Sequence, residues 1–206
     1  MDIAKLSIAF AVFVVSFTAC GNKEKKQIFE EDNNVDFVMQ NQNSTVFGLC
    51  GDGSSEDSLQ LITDSGDTLL LGVYGAKDNG KLFGNYNVGD KMAVLLDDSM
   101  KNITLAINEN VLLGNWVMLN PLDGSSYVGI SFRDGGIAES IDQSIIIYKT
   151  WRILDGKLEI SLVREGGGDM EEVNAYNIIK LDSDSLIYEE GEDRMEYFRE
   201  GIVQPE

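Results

Sequence analysis

The stretch VLLGNWVMLNP, residues 111–121, decides how the chain is divided. Upstream of it, Asn108 to Asn110 interrupt a run of short β-type segments, and at Val111 the apolar pattern restarts. Residues 111–203 therefore read as a second β module and residues 45–110 as a first. Only Pro121 and Pro205 are prolines, so the boundary is not a proline hinge.

The alternation of period two continues on both sides. In the first module Leu59, Leu61 and Thr63 oppose Ser58, Gln60 and Ile62. Asp64 to Asp67 form a turn, and Thr68 onward returns as a hairpin. Val88-Gly89-Asp90 turns into a strand from Lys91 to Leu96, Asp97-Asp98-Ser99 turns again, and Ile103 to Ile107 is a further strand. Strands so short and evenly spaced predict a small N-terminal barrel, with the run Leu69 to Leu71 covered on both faces. Its turn-plus-strand VGDKMAVL (88–95) resembles OB- or SH3-like barrels.

In the second module Val128, Ile130 and Phe132 alternate, and Asp155-Gly156 is a two-residue hairpin signal. Leu158, Ile160 and Leu162 then share one face. Between Glu139 and Tyr148 the Ile145-Ile146-Ile147 run favours strand over helix. On the strand 144–154, Tyr148 and Trp151 stand three apart, which predicts opposite faces. Trp151 with Ile145, Ile147 and Ile153 is the inward phase. The fold class expected is all-β, with no long amphipathic helix.

The amino end reads as a targeting segment. Lys5 precedes the apolar run Ile8 to Phe17, which is shorter than the roughly 20 residues a membrane span needs. Phe17-Thr18-Ala19-Cys20 resembles a bacterial lipobox, with Phe17 where an aliphatic is usual. Residues 1–20 are thus expected to be a lipoprotein signal, with Cys20 the lipidation site, and residues 21–44 a flexible tether. Gly21, rather than an aspartate, implies an outer-membrane destination. Cys50 is the other cysteine, so lipidation of Cys20 leaves no internal disulfide, and Cys50 reads as a small buried hydrophobe.

The chain has no histidine, which removes Ser-His and Cys-His catalysis and His-ligated metals. With 16 basic and 35 acidic residues the net charge is −19, which repels nucleic acid and favours solubility. The acidic stretches Asp52 to Asp57 and Glu165 to Glu172 do not follow calcium-loop spacing, and Gly166 to Gly168 precede neither a lysine nor a helix. No metal and no cofactor is expected.

The second module is similar to lipocalin-like lipoproteins of Gram-negative gut anaerobes. The matches run in order: Leu112, Gly114, Trp116; Gly129, Phe132, Gly135, Ala138, Ser140; Tyr148, Trp151; Tyr197, Arg199. The resemblance implies an antiparallel lipocalin-like barrel or half-barrel. It also implies that Gly114, Trp116 and Arg199 close one end, the arginine covering the tryptophan. Phe132 and Trp151 are the candidate ligand-binding residues. The function expected is a non-enzymatic, lipid-anchored binding or accessory lipoprotein of the cell envelope. Its partners are the membrane, through the anchor, and a small apolar ligand, a glycan or an envelope protein. A pure interaction module without a cavity and a carboxylate-dependent glycan hydrolase are the alternatives. Asp57-Ser58-Leu59, Asp67-Thr68-Leu69, Asp98-Ser99-Met100 and Asp184-Ser185-Leu186 fit an Asp-Ser/Thr-apolar O-glycosylation pattern and equally fit ordinary turns.

Overall fold

The computed structural model describes residues 44–142, 145–166 and 170–202. Cys20, the signal, tether residues 21–43 and Gly167-Gly168 lie outside the described residues. Among the described residues no helix is long and apolar enough to cross a membrane.

The first module holds β1 (Val46–Cys50), β2 (Ser58–Thr63), β3 (Thr68–Gly72), α1 (Tyr74–Asp78), β4 (Leu82–Phe83), β5 (Lys91–Leu96) and β6 (Ile103–Asn108). They form one six-stranded sheet in the order β3-β2-β1-β5-β6-β4, antiparallel except for β4 beside β6. The small barrel expected here is therefore only partly rolled. A lone parallel bridge, Gly72 to Asn102, brings the end of β3 to the start of β6, and no ladder completes the circle. β3 breaks at Val73, where the chain turns into α1, and so cannot run alongside β6. Leu59, Leu61, Leu71, Met92, Val94 and Ile103 pack on the concave side with Ala76 of α1. Leu70 is 66% exposed, so the run Leu69 to Leu71 is covered on one face only, because β3 is an edge strand.

The second module opens with a single helical turn, α2 (Glu109–Leu112), not with a strand at Val111. Asn108 accounts for this. It is fully buried, and its side-chain oxygen accepts the Val111 N–H at 3.2 Å as an N-cap. Eight strands follow: β7 (Gly114–Leu119), β8 (Tyr127–Arg133), β9 (Ile137–Ile141), β10 (Ile146–Leu154), β11 (Lys157–Arg164), β12 (Glu171–Leu181), β13 (Ser185–Glu190) and β14 (Asp193–Arg199). Each pairs antiparallel with its chain neighbour. β14 returns to β7 through Phe198–Val117 and Arg199–Trp116, closing the barrel.

Tyr148 and Trp151 do not face opposite sides. The β10–β11 register slips between Tyr148 and Thr150, and this bulge inserts one residue into the alternation. Both aromatics consequently point inward, while Ile147 and Lys149 are exposed. A second slip, between Ile178 and Lys180, lets Ile178 and Leu181 share the interior of β12 in the same way.

Up-and-down order places the connections β8–β9, β10–β11 and β12–β13 at one end, together with α2. The sheet of the first module packs on that end. Phe47, Phe83, Ala93, Leu105 and Ile107 join the barrel's apolar cluster, which is why Ala93 in β5 is buried on the face turned away from the sheet's own core. The β10–β11 turn is the peg of this contact. Asp155 and Gly156 both have positive φ, 49° and 70°, as a type I′ hairpin requires. A Cβ on Gly156 would stand 2.6 Å from Leu95. Gly156 donates its N–H to Thr45, and the Asp155 carboxylate accepts the N–H and hydroxyl of Ser44. Gly84 adds an N–H to the Leu181 carbonyl.

Candidate functional site: a barrel stoppered at one end and open at the other

The stoppered end is built from Gly114, Trp116 and Arg199, which the structure brings together. Trp116 is completely buried and donates its indole N–H to the Leu112 carbonyl at 2.7 Å. The Arg199 guanidinium lies 4.1 Å from the centre of the ring. Its three nitrogens reach three carbonyls, those of Ser183, Leu113 and Val111, at 2.6, 2.9 and 2.7 Å. Burial lowers the Arg199 pKa from its ordinary value, with Asp184 and Asp182 opposing the change. Gly114 has a φ of 122°, and a Cβ there would meet an Arg199 nitrogen at 2.5 Å. Glycine is thus needed for both torsion and room.

Above the stopper, buried aromatic side chains pack in the interior. Phe132, 1% exposed, meets Trp151 edge-on with ring centres 5.7 Å apart, and Trp151 donates its indole N–H to the Arg133 carbonyl. Phe132 is enclosed. Trp151 instead lines a cavity of about 270 Å³ on the sheet side of the barrel, beside Phe47, Lys91, Glu109 and Asp134. Four tyrosines also belong to the barrel's core: Tyr148, Tyr176, Tyr188 and Tyr197. Tyr188 stacks on Tyr197 at 5.6 Å and approaches Tyr176 at 4.8 Å, and the Tyr188 hydroxyl donates to that of Tyr197. Burial pushes the phenols of Tyr188 and Tyr197 well above their ordinary pKa, so both stay neutral hydrogen-bonding groups. Tyr176, Tyr188 and Tyr197 each alternate with the inward residues of their own strands, whereas Tyr148 falls in the outward phase of β10 until the bulge is counted.

At the other end stand the β7–β8 and β13–β14 connections and the described parts of the β9–β10 and β11–β12 connections. A cavity of about 320 Å³ opens there. Its walls are Pro121, Leu122, Val128, Ile145 and Ile146, with Asn120 and Asp142 as its polar members. Leu122 is 75% exposed and Ile145 51%. Met170, at the β11–β12 connection, is 76% exposed. Among the described residues no group of histidine, cysteine and carboxylate side chains is placed to hold a metal.

The lipocalin-like family model matches residues 108–200, from the cap of α2 to the residue after β14. No curated protein matches the chain. A crystal structure of a lipocalin-like protein from Bacteroides thetaiotaomicron is 27% identical, covering 43% of this chain and 96% of that one, with a TM-score of 0.40. The matched residues contain the whole closed barrel and the Trp116–Arg199 stopper, and over residues 108–200 the chain is similar to the lipocalin-like family.

Proposed function

We propose that the protein is a lipid-anchored binding or accessory lipoprotein of the cell envelope, without catalytic activity, whose barrel takes a small, largely apolar molecule at its mouth. The observation that carries the reading is the asymmetry of the barrel. One end is sealed by Arg199 over Trp116. The other exposes an apolar cavity of about 320 Å³, at the lower end of the size range of small-molecule pockets. Behind that cavity stand Phe132, Trp151 and the four tyrosines, so a ligand there is small or only its tip is enclosed.

The test is a fluorescence titration with N-phenyl-1-naphthylamine. Saturable binding is expected, and Leu122→Asp or Ile145→Asp should weaken it about tenfold, since each removes the burial of one aliphatic side chain, worth roughly 1.5 kcal/mol. Binding that ignores both substitutions overturns the reading. A probe that does not bind at all favours the second reading, a pure interaction module, for which the packing of Trp116, Phe132 and Tyr188 is the supporting observation. Anchoring is tested separately: Cys20→Ala should abolish incorporation of labelled fatty acid and release the protein from the outer-membrane fraction.

A further inference from the structure

The first module carries a cleft of its own, remote from the barrel mouth. It has a volume of about 410 Å³ and lies between the β1–β2 loop, α1 and the segment leading from β4 to β5. Its walls are held rigidly. The Tyr86 hydroxyl donates to the Ser55 carbonyl at 2.5 Å, tying the segment to the loop. Lys77 ties the loop to α1 by donating to the Glu56 carbonyl. Below the segment, buried Asn108 donates one amide group to the Asn85 carbonyl at 3.1 Å and to the Asp90 carboxylate at 2.7 Å. Gly84 and Asn85 hold positive φ angles of 90° and 51°, which fixes the direction in which Asn85 leaves the backbone.

The chemistry of the walls narrows the ligand. One acid, Glu56, and one base, Lys77, leave the cleft without net charge, and the lysine ammonium is already engaged by a carbonyl. A phosphate or other anion gains little there, against a chain of net charge −19. A metal would find one carboxylate. A purely apolar molecule would strip water from Asn85, Asn87 and Glu56 without replacing their hydrogen bonds, which is costly. The Asn85 amide and the Glu56 carboxylate make no hydrogen bond to another described residue, and an amide both donates and accepts. Beside them stand the Tyr86 ring and Val88, which is 66% exposed. An amide that donates and accepts and a carboxylate that accepts, set next to an aromatic and an aliphatic surface, match the hydroxyl edge and the C–H face of a sugar ring.

We infer that this cleft binds a neutral saccharide unit, with Asn85 and Glu56 reading its hydroxyls and Tyr86 and Val88 receiving its apolar face. The experiment is calorimetric and saturation-transfer NMR titration of the full chain with glucose, N-acetylglucosamine and maltose. At least one should bind saturably with Kd near or below about 1 mM. Asn85→Gly, which keeps the left-handed backbone and removes the amide, and Glu56→Gln should each weaken it by about fivefold or more. Both variants should keep the wild-type melting temperature and the naphthylamine binding at the barrel mouth. Failure of all three sugars to bind below about 50 mM overturns the inference, as does unchanged binding in both variants, or competition for the bound sugar by inorganic phosphate.

Discussion

Replacing Arg199 with methionine tests whether the stopper holds the barrel closed. The substitution keeps an unbranched apolar stem over the Trp116 indole and removes three donors. The carbonyls of Val111 and Leu113 lose partners at 2.7 and 2.9 Å in a partly buried setting, while that of Ser183 is exposed and finds water. Hydrogen bonds from a charged donor are worth about 1.5–3 kcal/mol each, and a cation over an indole about 0.5–2 kcal/mol. Taking the lower ends for two bonds, because the side chain is only half-buried, and nothing for the third, the loss is about 3–4 kcal/mol. In a body of this size that lowers the melting temperature by roughly 6–16 °C. Thermal unfolding followed by near-ultraviolet circular dichroism reports directly on the environment of Trp116. Arg199→Lys should recover less than half of the loss, because one ammonium cannot span three carbonyls in a fixed fork. A methionine variant melting within about 2 °C of the wild type, or a lysine variant indistinguishable from it, refutes the argument that this geometry stabilises the closed end.

Three further outcomes are expected. Gly129→Ala places a Cβ 1.9 Å from the Trp116 carbonyl oxygen, a backbone atom that cannot rotate away. It should cost on the order of 3–5 kcal/mol, against about 1–2 for Gly66→Ala, where torsion alone is strained; urea unfolding compares them. Desolvation raises the Glu109 carboxyl above its ordinary value of 4.5 despite Lys91. The folded state then holds that proton more tightly than the unfolded one, and stability falls as pH rises through the window above 4.5. Glu109→Gln should therefore be more stable than wild type at pH 7, with the difference closing at acid pH. Asp97 behaves oppositely. The Asn102 and Ser99 side chains and two backbone N–H groups hold its carboxyl below the ordinary 3.8, so its contribution is present above 3.8 and lost as pH falls. Asp97→Ala should lower the melting temperature at pH 7 and do so less at low pH.

Much of the barrel was legible because half-buried strands write their faces into alternate residues, as Val128, Ile130, Phe132 and Leu158, Ile160, Leu162 do. The Trp116–Arg199 pairing was anticipated from the resemblance, not from periodicity. The bulge at Lys149 was not legible, because an inserted residue leaves the composition of the strand unchanged and only reverses its phase. Simple alternation therefore puts Tyr148 on the wrong side. The two short helices escaped for another reason: five and four residues are too few to show a helical period. The cleft of the first module has no linear trace at all, since Glu56, Lys77 and Asn85 meet only after the sheet has curled.

The tie between Ser44 and Asp155 pins the start of the described chain to one pole of the barrel. The described chain begins at the hairpin tip where β10 ends, nine strand residues away from the apolar opening at Ile146. Ser44 is thereby held at the stoppered end of the barrel, at the far end of β10 from the cavity lined by Ile145 and Ile146.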